Sequence, residues 1–475
     1  MAPAEYDVVV AGAGSAGCAV AAALVEQGAR VCLIEAGPDY GPRTGQRWPA
    51  EILDPHRRPK THDWGYDEED RARVMGGCSS HNQCAALWPD DREFDAWAAL
   101  GNPGWTAREL QPFKARVDTA LDPRPYPDRE LASWQKAFAA AAGIGSFPAN
   151  VRQGVRWNAA FAFLDPVRRR TALTIIDDTL ADRLVFTGAR ARSLIARRRG
   201  RRETLELRAA RFVLCGGAFG SPMILQRSGV GPRSVHRRLR IRPVLEREGV
   251  GRNLQEHPGI GLLFEPSEAA GRALVQDLVA HRFYQSQVIW RTRSRAGRGG
   301  EDIHLLPYQS LGASDATFGI LAFNVAPQSR GTVTIAARDA RRKPAIDMGY
   351  LRDAGGRDLA VLVDAVSLAR RLARRPALRA MIDHEIDPGP RRRTAAQLRR
   401  FIRADVSGYS HPVGTCAMGS AADPMAVVDA RGRVHGLDNV VVADASIMPV
   451  IPRVNTNLTA MLVALRVTAA LTDPS

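Results

Sequence analysis

A glycine-rich segment near the start of the chain has the residue types and spacing of a dinucleotide site. Gly12, Gly14 and Gly17 form a G-x-G-x-x-G pattern that directly follows an apolar run. Such glycines let the backbone turn tightly and approach a pyrophosphate, which the N-terminus of the next helix then faces. Glu35 ends a second apolar run, where a carboxylate accepts hydrogen bonds from ribose hydroxyls and repels a 2′-phosphate. The pattern predicts a site for FAD or NAD rather than NADP.

The residues around this motif predict a strand–helix–strand unit. Tyr6–Ala11 and Arg30–Ile34 are short apolar runs typical of buried parallel strands. Between them, the alanine-rich stretch Cys18–Gln27 predicts a helix that ends at Gly28. Because the glycines lie at the strand-to-helix turn that a dinucleotide site requires, we expect a Rossmann-like domain of the α/β class.

Several further segments share their pattern with a known enzyme family. They are Val74–Asn82 (VMGGCSSHN), Gly217–Pro232 (GAFGSPMILQRSGVGP), Gly249–His257 (GVGRNLQEH), Tyr409–Gly419 (YSHPVGTCAMG), Val441–Pro449 (VVADASIMP) and Val454–Thr459 (VNTNLT). Together they resemble the glucose–methanol–choline (GMC) family of FAD-dependent alcohol oxidoreductases, closest to its choline oxidase branch, from residue 6 to about residue 470. The resemblance implies FAD as cofactor, a small-molecule alcohol as substrate, and a discontinuous substrate-binding domain built on an antiparallel sheet backed by helices.

The chain is expected to divide into two interleaved domains. Residues 1–100, 176–257 and 404–475 form the FAD-binding domain, and residues 101–175 and 258–403 form the substrate-binding domain. The predicted strands of the second insert are Phe283–Thr292, Glu301–Tyr308, Gly319–Pro327 and Gly331–Ala336. The predicted helices behind them are Asp358–Arg374 and Ala395–Asp405. The segment Pro38–Asp70 is expected to form a lid-like loop over the cofactor.

The resemblance implies which residues contact the cofactor. They are Gly12, Gly14, Ser15, Gly17, Glu35, Ala36, Met75, Gly76, Gly77, His81, Asn82, Ala191, Gly217, Ala218, Asp444, Ala445, Asn455, Thr456 and Asn457. Among them, Met75 to Gly77 is a stretch poor in side chains, which suits backbone contact with a flat ring. Ala191 matches the position whose backbone meets adenine in the family.

The resemblance also implies the residues that perform the reaction. Oxidation of an alcohol on a flavin requires the hydroxyl proton to leave and a hydride to reach flavin N5. A histidine suits the first task because it titrates near working pH, and a second polar group must hold the developing alkoxide. By resemblance, His411 is the general base, Asn455 positions the alkoxide and His304 faces the substrate. Of the other histidines, we expect His257 in a structural role and His56, His62, His236, His281 and His384 at the surface.

His81 lies in a specific variant of the family motif, GGCSSHN. It matches the histidine that bonds the 8α carbon of the flavin in the choline oxidase branch. Such a bond withdraws electron density from the flavin and should raise its potential, which favours hydride uptake. We therefore expect FAD attached covalently through His81. The alternative is a core histidine that only hydrogen-bonds near the dimethylbenzene ring.

Departures from the choline oxidase pattern leave the substrate and the acceptor open. Choline oxidases place a carboxylate in the first strand of the substrate sheet, but the comparable stretch His281–Trp290 has none, so choline is not expected. Tyr409 and Ser410 precede His411 where those enzymes carry Val-Tyr, so the electron acceptor is O2, giving H2O2, or another molecule. A lyase or decarboxylase of the same fold, and an FAD-binding protein without turnover, are the alternatives.

Composition excludes several other classes. The chain has 475 residues and a formal net charge of +16, but 62 of its 66 basic residues are arginines, and their runs lack interleaved aromatics. We therefore expect solvated surfaces rather than a nucleic-acid site. Six cysteines without a CxxC pair indicate reduced thiols in a cytoplasmic protein, and no metal site is expected. No apolar run reaches the ~18 residues of a membrane span, and no signal peptide is expected. The oligomeric state, including a homodimer, stays open.

Overall fold

A five-stranded parallel sheet carries the glycine motif in the computed structural model, which describes residues 5–56, 58–67, 69–201, 203–280, 287–297, 299–311 and 316–472. Its strands lie in the order Val440–Val442, Ala209–Leu214, Tyr6–Ala11, Val31–Ile34 and Leu173–Ile176. The central strand pairs in parallel on both sides, with Val10 opposite Val213 and Leu33. Its unbroken apolar run is what a strand covered on both faces requires. The predicted strand–helix–strand unit and the α/β class are confirmed.

The first helix of this unit, Ser15–Glu26, is rich in alanine because it lies inside the domain. Every residue from Ala16 to Val25 is buried, and the helix packs against the C-terminal helix Asn457–Thr472. The third glycine of the motif is required by this close packing. A Cβ atom on Gly17 would collide with the carbonyl oxygen of Gly12, so only glycine lets the helix approach the preceding turn.

The second large sheet is antiparallel and lies over the other end of the molecule's main cavity. Its strands lie in the order Trp290–Thr292, Ile303–Leu311, Ala316–Asn324, Pro258–Pro266 and Ile382–Asp387, and Ser407–Gly408 also pairs with Pro258–Pro266. Side chains alternate between the two faces, so that Ile303 and Leu305 are buried in a core with helices, whereas Leu306 faces the cavity. The helices that share this core are Ser133–Ala142, Arg357–Ala373 and Ala395–Asp405. The predicted antiparallel sheet backed by helices is confirmed.

Smaller elements complete the described chain. A three-stranded sheet consists of Thr204–Leu207, Arg190–Arg198 and Thr179–Thr187. The two-stranded pairs are Val230–Gly231 with Leu245–Glu246, Thr332–Thr334 with Ala345–Asp347, Arg124–Pro125 with Pro148–Ala149, and Val151–Arg152 with Val155–Arg156. The remaining helices are Ala50–Leu53, Asp91–Ala99, Ala107–Leu121, Gly217–Arg227, Arg233–Leu239, Glu268–Val279 and Pro376–Arg379.

The structure differs from the expected organisation in three places. The strand Leu173–Ile176 belongs to the parallel sheet, and the helix Ala107–Leu121 packs into its core, although we expected residues 101–175 in the substrate-binding domain. The first strand of the antiparallel sheet is Pro258–Pro266, which the sequence analysis did not identify. The strand predicted at Gly331–Ala336 forms a separate two-stranded pair. Of the predicted strand Phe283–Thr292, residues 283–286 lie outside the described residues. Within the described ranges, none of the helices combines the length and apolarity that crossing a bilayer would require.

Candidate active site

A cavity of about 670 Å³ runs from the glycine motif to the antiparallel sheet. Most residues expected to contact a cofactor line it: Gly12, Gly14, Ser15, Glu35, Ala36, Gly77, His81, Asn82, Gly217, Ala218, Asp444, Ala445, Asn455, Thr456 and Asn457. His411 also lines it. The structure does not bring Gly17, Met75, Gly76, Ala191 or His304 to its wall. One continuous cavity thus joins the dinucleotide motif to the two expected catalytic residues.

Two helix N-termini meet at the glycine end of the cavity. Ser15, at the start of one helix, donates a hydrogen bond from Oγ to Oδ1 of Asn457, at the start of the C-terminal helix, at 2.6 Å. The amide nitrogen of Asn457 is buried and has no partner among the described residues. A Cβ atom on Gly77 would come within 2.6 Å of the Gly14 backbone, so the wall there is bare backbone. Positive helix ends and an unpaired amide donor fit the phosphates of a dinucleotide.

Glu35 is held at the end of the second strand by backbone groups. Its two carboxylate oxygens accept hydrogen bonds from the N–H groups of Ala13 and Gly37, each at 2.9 Å. Burial raises the pKa of Glu35 to about 7, and the two N–H donors oppose this shift. Each oxygen keeps a second lone pair, so the carboxylate can still accept hydrogen bonds from ribose hydroxyls.

Other expected cofactor residues support the cavity instead of lining it. The N–H of Gly76 donates to the carbonyl of Ala13 at 2.8 Å, which ties the second glycine segment to the first. Met75 lies fully buried beside it. Asp444 lines the cavity, but its carboxylate accepts hydrogen bonds from the N–H of Gly217 at 2.7 Å and that of Ser446 at 2.8 Å. Asp444 therefore fixes the start of the helix Gly217–Arg227.

Ala191, at which we expected a backbone contact with adenine, does not line the cavity. Ala191 is buried, and its N–H and carbonyl are both bonded to the side-chain amide of Asn439 at 2.9 Å. The residues of the same three-stranded sheet that reach the cavity are Thr179, Leu180 and Ala181, on the neighbouring strand.

His411 lies in a hydrogen-bond chain that determines which of its ring nitrogens carries the hydrogen. His257 Nε2 lies 3.0 Å from the carbonyl oxygen of Pro452, and a carbonyl only accepts, so this nitrogen carries the hydrogen. Burial lowers the pKa of His257 to about 3, so its ring is neutral and Nδ1 keeps a lone pair. The 3.0 Å contact between the two Nδ1 atoms therefore needs a hydrogen on His411 Nδ1. His411 Nε2 is left unprotonated, 3.1 Å from the amide nitrogen of Asn455.

A buried carboxylate, Glu256, holds the two histidine-bearing segments together. It accepts hydrogen bonds from the N–H groups of His411, His257 (2.6 Å) and Tyr409 (3.3 Å). Burial raises the pKa of Glu256 well above its usual value, the nearby Glu69 raises it further, and Arg71 opposes both effects. Glu256 was not among the expected site residues and His257 was expected only in a structural role, although both lie in the NLQEH segment.

Tyr409 covers the predicted substrate-facing histidine. Its ring stacks on Phe323 with centroids 3.9 Å apart, and both rings line the cavity. His304 is buried on the same face of the sheet, and its ring meets the edge of Tyr409 with centroids 6.2 Å apart. Tyr409 thus forms the wall that we expected His304 to form.

His81 is buried beside the cavity. Its Nε2 has no hydrogen-bond partner among the residues that the structure describes. Burial, and next the charge of Arg156, lower the pKa of His81 to about 3. A neutral imidazole with an unpaired buried nitrogen fits close contact with a cofactor.

The remaining histidines contain one correction. His236, expected at the surface, is buried at 2% exposure in the short helix Arg233–Leu239, because its neighbours Val235 and Leu239 pack into an apolar cluster. His384 is exposed and His56 and His62 are half-buried, whereas His281 lies outside the described residues.

The described residues contain one group with metal-ligand geometry, formed by Glu256, His257 and His411 with donor atoms within 4.8 Å of one another. Each of these donor atoms already takes part in the hydrogen bonds above. The group is therefore explained without a metal ion.

A flavin- or nicotinamide-binding oxidoreductase is the class that this fold and this cavity define. Models of the GMC oxidoreductase family match residues 130–259 and 327–464, and the lycopene cyclase protein model matches residues 7–66. Choline oxidase from Arthrobacter globiformis is 30% identical over 97% of this chain and 93% of that protein. Oxygen-dependent choline dehydrogenase from Pseudomonas fluorescens is 30% identical over 97% and 92%. The chain belongs to the GMC oxidoreductase family, which confirms the resemblance, and it is an oxidoreductase.

Solved structures agree with this assignment. Pyridoxine 4-oxidase from Mesorbium loti superposes with a TM-score of 0.86 at 29% identity, covering 98% of this chain and 99% of that one. An FAD-dependent oxidoreductase from Chaetomium thermophilum superposes with a TM-score of 0.82 at 21% identity over 98% and 99% of the chains, which shows a shared fold. Family membership implies FAD as the cofactor. The paired helix ends, Glu35 and the unpaired atoms of His81 and Asn457 fit that group.

Proposed function

We propose that this protein uses FAD to oxidise an alcohol to a carbonyl compound. The observation that carries the proposal is the 3.1 Å contact of His411 Nε2 with the amide nitrogen of Asn455, between two residues that both line the cavity. Bound FAD would supply the acceptor for the hydride at its N5 atom. The relatives are a choline oxidase, a choline dehydrogenase and a pyridoxine 4-oxidase, and these names support an alcohol as the donor.

His411 is the general base of this proposal. Its Nε2 takes the hydroxyl proton, and the ring becomes positively charged. The hydrogen bond that His411 Nδ1–H donates to His257 Nδ1 stabilises this charge. Asn455 donates from its amide nitrogen to the developing alkoxide oxygen. The backbone hydrogen bonds to Glu256 keep His411 and His257 at their separation. Each group therefore has one task at one named atom.

Burial prepares His411 for this role. It lowers the pKa of His411 well below its usual value of 6.5, and the neighbouring His257, Arg71, His304 and Arg58 lower it further. The imidazole is therefore neutral at pH 7, as a proton acceptor must be.

The decisive experiment removes the base. His411→Ala should slow anaerobic bleaching of the flavin by alcohol at least ~100-fold, which is the range of general-base catalysis. His384→Ala is the matched control, because His384 is exposed and far from the cavity wall. Bleaching by His411→Ala at the wild-type rate would exclude His411 as the base. Protein that holds flavin but is bleached by no alcohol would favour a lyase or decarboxylase of this fold.

We propose further that FAD is bonded covalently through His81. Its neutral imidazole and unpaired Nε2 support this attachment. The nitrogen would replace one hydrogen of the flavin 8α-methyl group, and the two electrons released would pass to the electron acceptor of the enzyme. Acid precipitation tests it: the wild-type pellet should stay yellow, and that of His81→Ala should be colourless. A colourless wild-type pellet with a yellow supernatant would refute the bond.

We propose O2 as the electron acceptor, with H2O2 as its product. Two relatives, a choline oxidase and an oxygen-dependent choline dehydrogenase, support this by their names. Admission of air to alcohol-bleached enzyme should restore the yellow colour rapidly and release peroxide. Slow recolouring without peroxide would assign another acceptor.

A further inference from the structure

Two arginines bracket the residue that precedes the catalytic histidine. Arg71 donates from Nη2 to the carbonyl oxygen of Ser410 at 2.8 Å, and Arg58 donates from Nη2 to the Ser410 hydroxyl at 3.3 Å. Both arginines and Ser410 line the cavity. Ser410 has a left-handed backbone, with φ of +71°, which a non-glycine residue keeps only when its surroundings hold it.

The negative charges around this pair leave the cavity side positive. Glu69 lies 3.5 Å from Arg71, but it is buried and does not line the cavity. Asp70 lies 3.2 Å from Arg58, and its side chain is 62% exposed. Two further carboxylates reach the cavity among the described residues, Glu35 and Asp444, and both accept hydrogen bonds at the dinucleotide end. Near His411, the guanidinium groups of Arg58 and Arg71 and the hydroxyl of Ser410 thus line the cavity, and the one negative side chain in the described part of the chain that lines it beside them is the solvent-exposed Asp70.

One part of the cavity wall is apolar. It consists of the stacked rings of Phe323 and Tyr409 with the side chains of Leu306 and Leu321. The strand Pro258–Pro266 offers no carboxylate there, since a Cβ atom on Gly259 would collide with the Phe323 ring. A flat apolar body suits this wall, because aromatic rings stack on flat apolar groups.

We propose that the substrate is an alcohol with a flat apolar body and an anionic group, such as a carboxylate, and that Arg58 is the residue that selects this anion. The inference rests on the proposed alcohol oxidation and adds the class of alcohol. Phe323 and Tyr409 contact the body, Arg58 and the Ser410 hydroxyl bind the anion, and the hydroxyl group of the substrate reaches His411. Arg71 positions Ser410 by donating a hydrogen bond to the carbonyl oxygen of Ser410.

Three para-substituted benzyl alcohols that differ in charge test the proposal. They are 4-(hydroxymethyl)benzoate, 4-methylbenzyl alcohol and 4-(hydroxymethyl)phenyltrimethylammonium. Anaerobic flavin bleaching should give the benzoate a kcat/KM at least about tenfold above that of the cation. The reason is that the cation would lie against the Arg58 guanidinium, and contact between like charges weakens binding. Equal rates, or a preference for the cation, would overturn the proposal, and so would bleaching by aliphatic alcohols alone.

Two substitutions with opposite expected effects identify the residue. Arg58→Gln should raise KM for the benzoate about tenfold, as loss of a charge-assisted hydrogen bond does, and should raise KM for 4-methylbenzyl alcohol by much less, because that alcohol carries no anion. Asp70→Asn removes the exposed counter-charge and should lower KM for the benzoate about two- to fivefold. Arg291→Gln is the matched control, because Arg291 is 38% exposed, pairs with Glu301 and lies outside the cavity, whereas Arg58 is 37% exposed. A loss of bound flavin in Arg58→Gln would overturn the assignment, because Arg58 would then serve the cofactor.

A dead-end ligand separates failure of this inference from failure of the proposed function. 4-Methylbenzoate has no alcohol to oxidise, and its binding is followed by the shift in flavin absorbance. It should bind the wild type and bind Arg58→Gln about tenfold more weakly. This result without turnover of any alcohol would refute the oxidation and keep the anion site. Turnover of neutral alcohols without binding of 4-methylbenzoate would refute the anion site alone.

Discussion

His257 offers the sharpest test of the hydrogen-bond chain behind the proposed base. We expect His257→Leu to remove the acceptor that holds the hydrogen on His411 Nδ1. The His411 ring is then free to carry its hydrogen on Nε2, the nitrogen that must be unprotonated to take a proton. We expect His257→Asn to lose much less, because an asparagine side-chain oxygen can replace imidazole Nδ1 as an acceptor.

The size of the effect follows from the charge that His411 acquires. When Nε2 takes the proton, the 3.0 Å hydrogen bond from Nδ1 to His257 becomes charge-assisted. A hydrogen bond to a charged group contributes about 1.5–3 kcal/mol, and each 1.36 kcal/mol changes a rate tenfold. His257→Leu should therefore slow flavin reduction about 10- to 150-fold, and His257→Asn less than about fivefold.

The assay is anaerobic stopped-flow reduction of the flavin at saturating alcohol, with flavin content measured for each variant. His435→Leu is the control, because His435 is half-buried, hydrogen-bonded to a carbonyl oxygen and outside the cavity. The reasoning is refuted if His257→Leu reduces its flavin at the wild-type rate. It is also refuted if His257→Asn and His257→Leu are equally slow with full flavin content, since the tautomer would then not be the cause.

Three further outcomes are expected. Burial and positive neighbours lower the pKa of His411, and only the neutral ring accepts a proton. We therefore expect kcat/KM to stay constant as pH falls past 6.5 and to be lost only as pH falls through the lowered pKa. A decrease of kcat/KM that begins above pH 6.5 would contradict this. Glu256→Gln replaces one acceptor oxygen with a donor that faces backbone N–H groups, so it should lower the unfolding free energy by about 1–3 kcal/mol in thermal denaturation, whereas the exposed control Glu268→Gln should not. In a His81→Ala background, where no covalent bond can hold the flavin, Glu35→Ala removes the carboxylate at the second strand and should lower the flavin content after gel filtration, whereas an unchanged content would show that Glu35 does not bind the ribose.

The parts of the fold that depend on local spacing could be predicted from the sequence. Gly17 is required by the contact of the glycine turn with the helix that follows it, and that contact with Gly12 lies within the motif itself. The strand Pro258–Pro266 was missed because its central run carries two glycines, which local patterns read as a turn rather than a strand. Its place is fixed by pairing with Ala316–Asn324, far along the chain.

The parts of the site that depend on distant contacts could not be predicted. Glu256 and His411 lie 155 residues apart, and no local pattern states that one accepts a hydrogen bond from the other. His304 has the correct alternation to face the cavity, but Tyr409 arrives from another segment and covers it. Likewise, Ala181 lines the cavity and Ala191 does not because of how the three-stranded sheet is placed against the cavity.

The hydrogen-bond chain behind His411 ends at a carbonyl oxygen, which limits how the base is reset. Pro452 accepts a hydrogen bond but cannot carry a proton away, and His257, with a pKa of about 3, does not hold a second proton near neutral pH. A proton taken up at His411 Nε2 therefore has to return to the cavity on the side of Asn455. The burial that makes His411 a weaker base also makes it release this proton readily, so a low pKa favours the reset of the site as well as its neutral starting state.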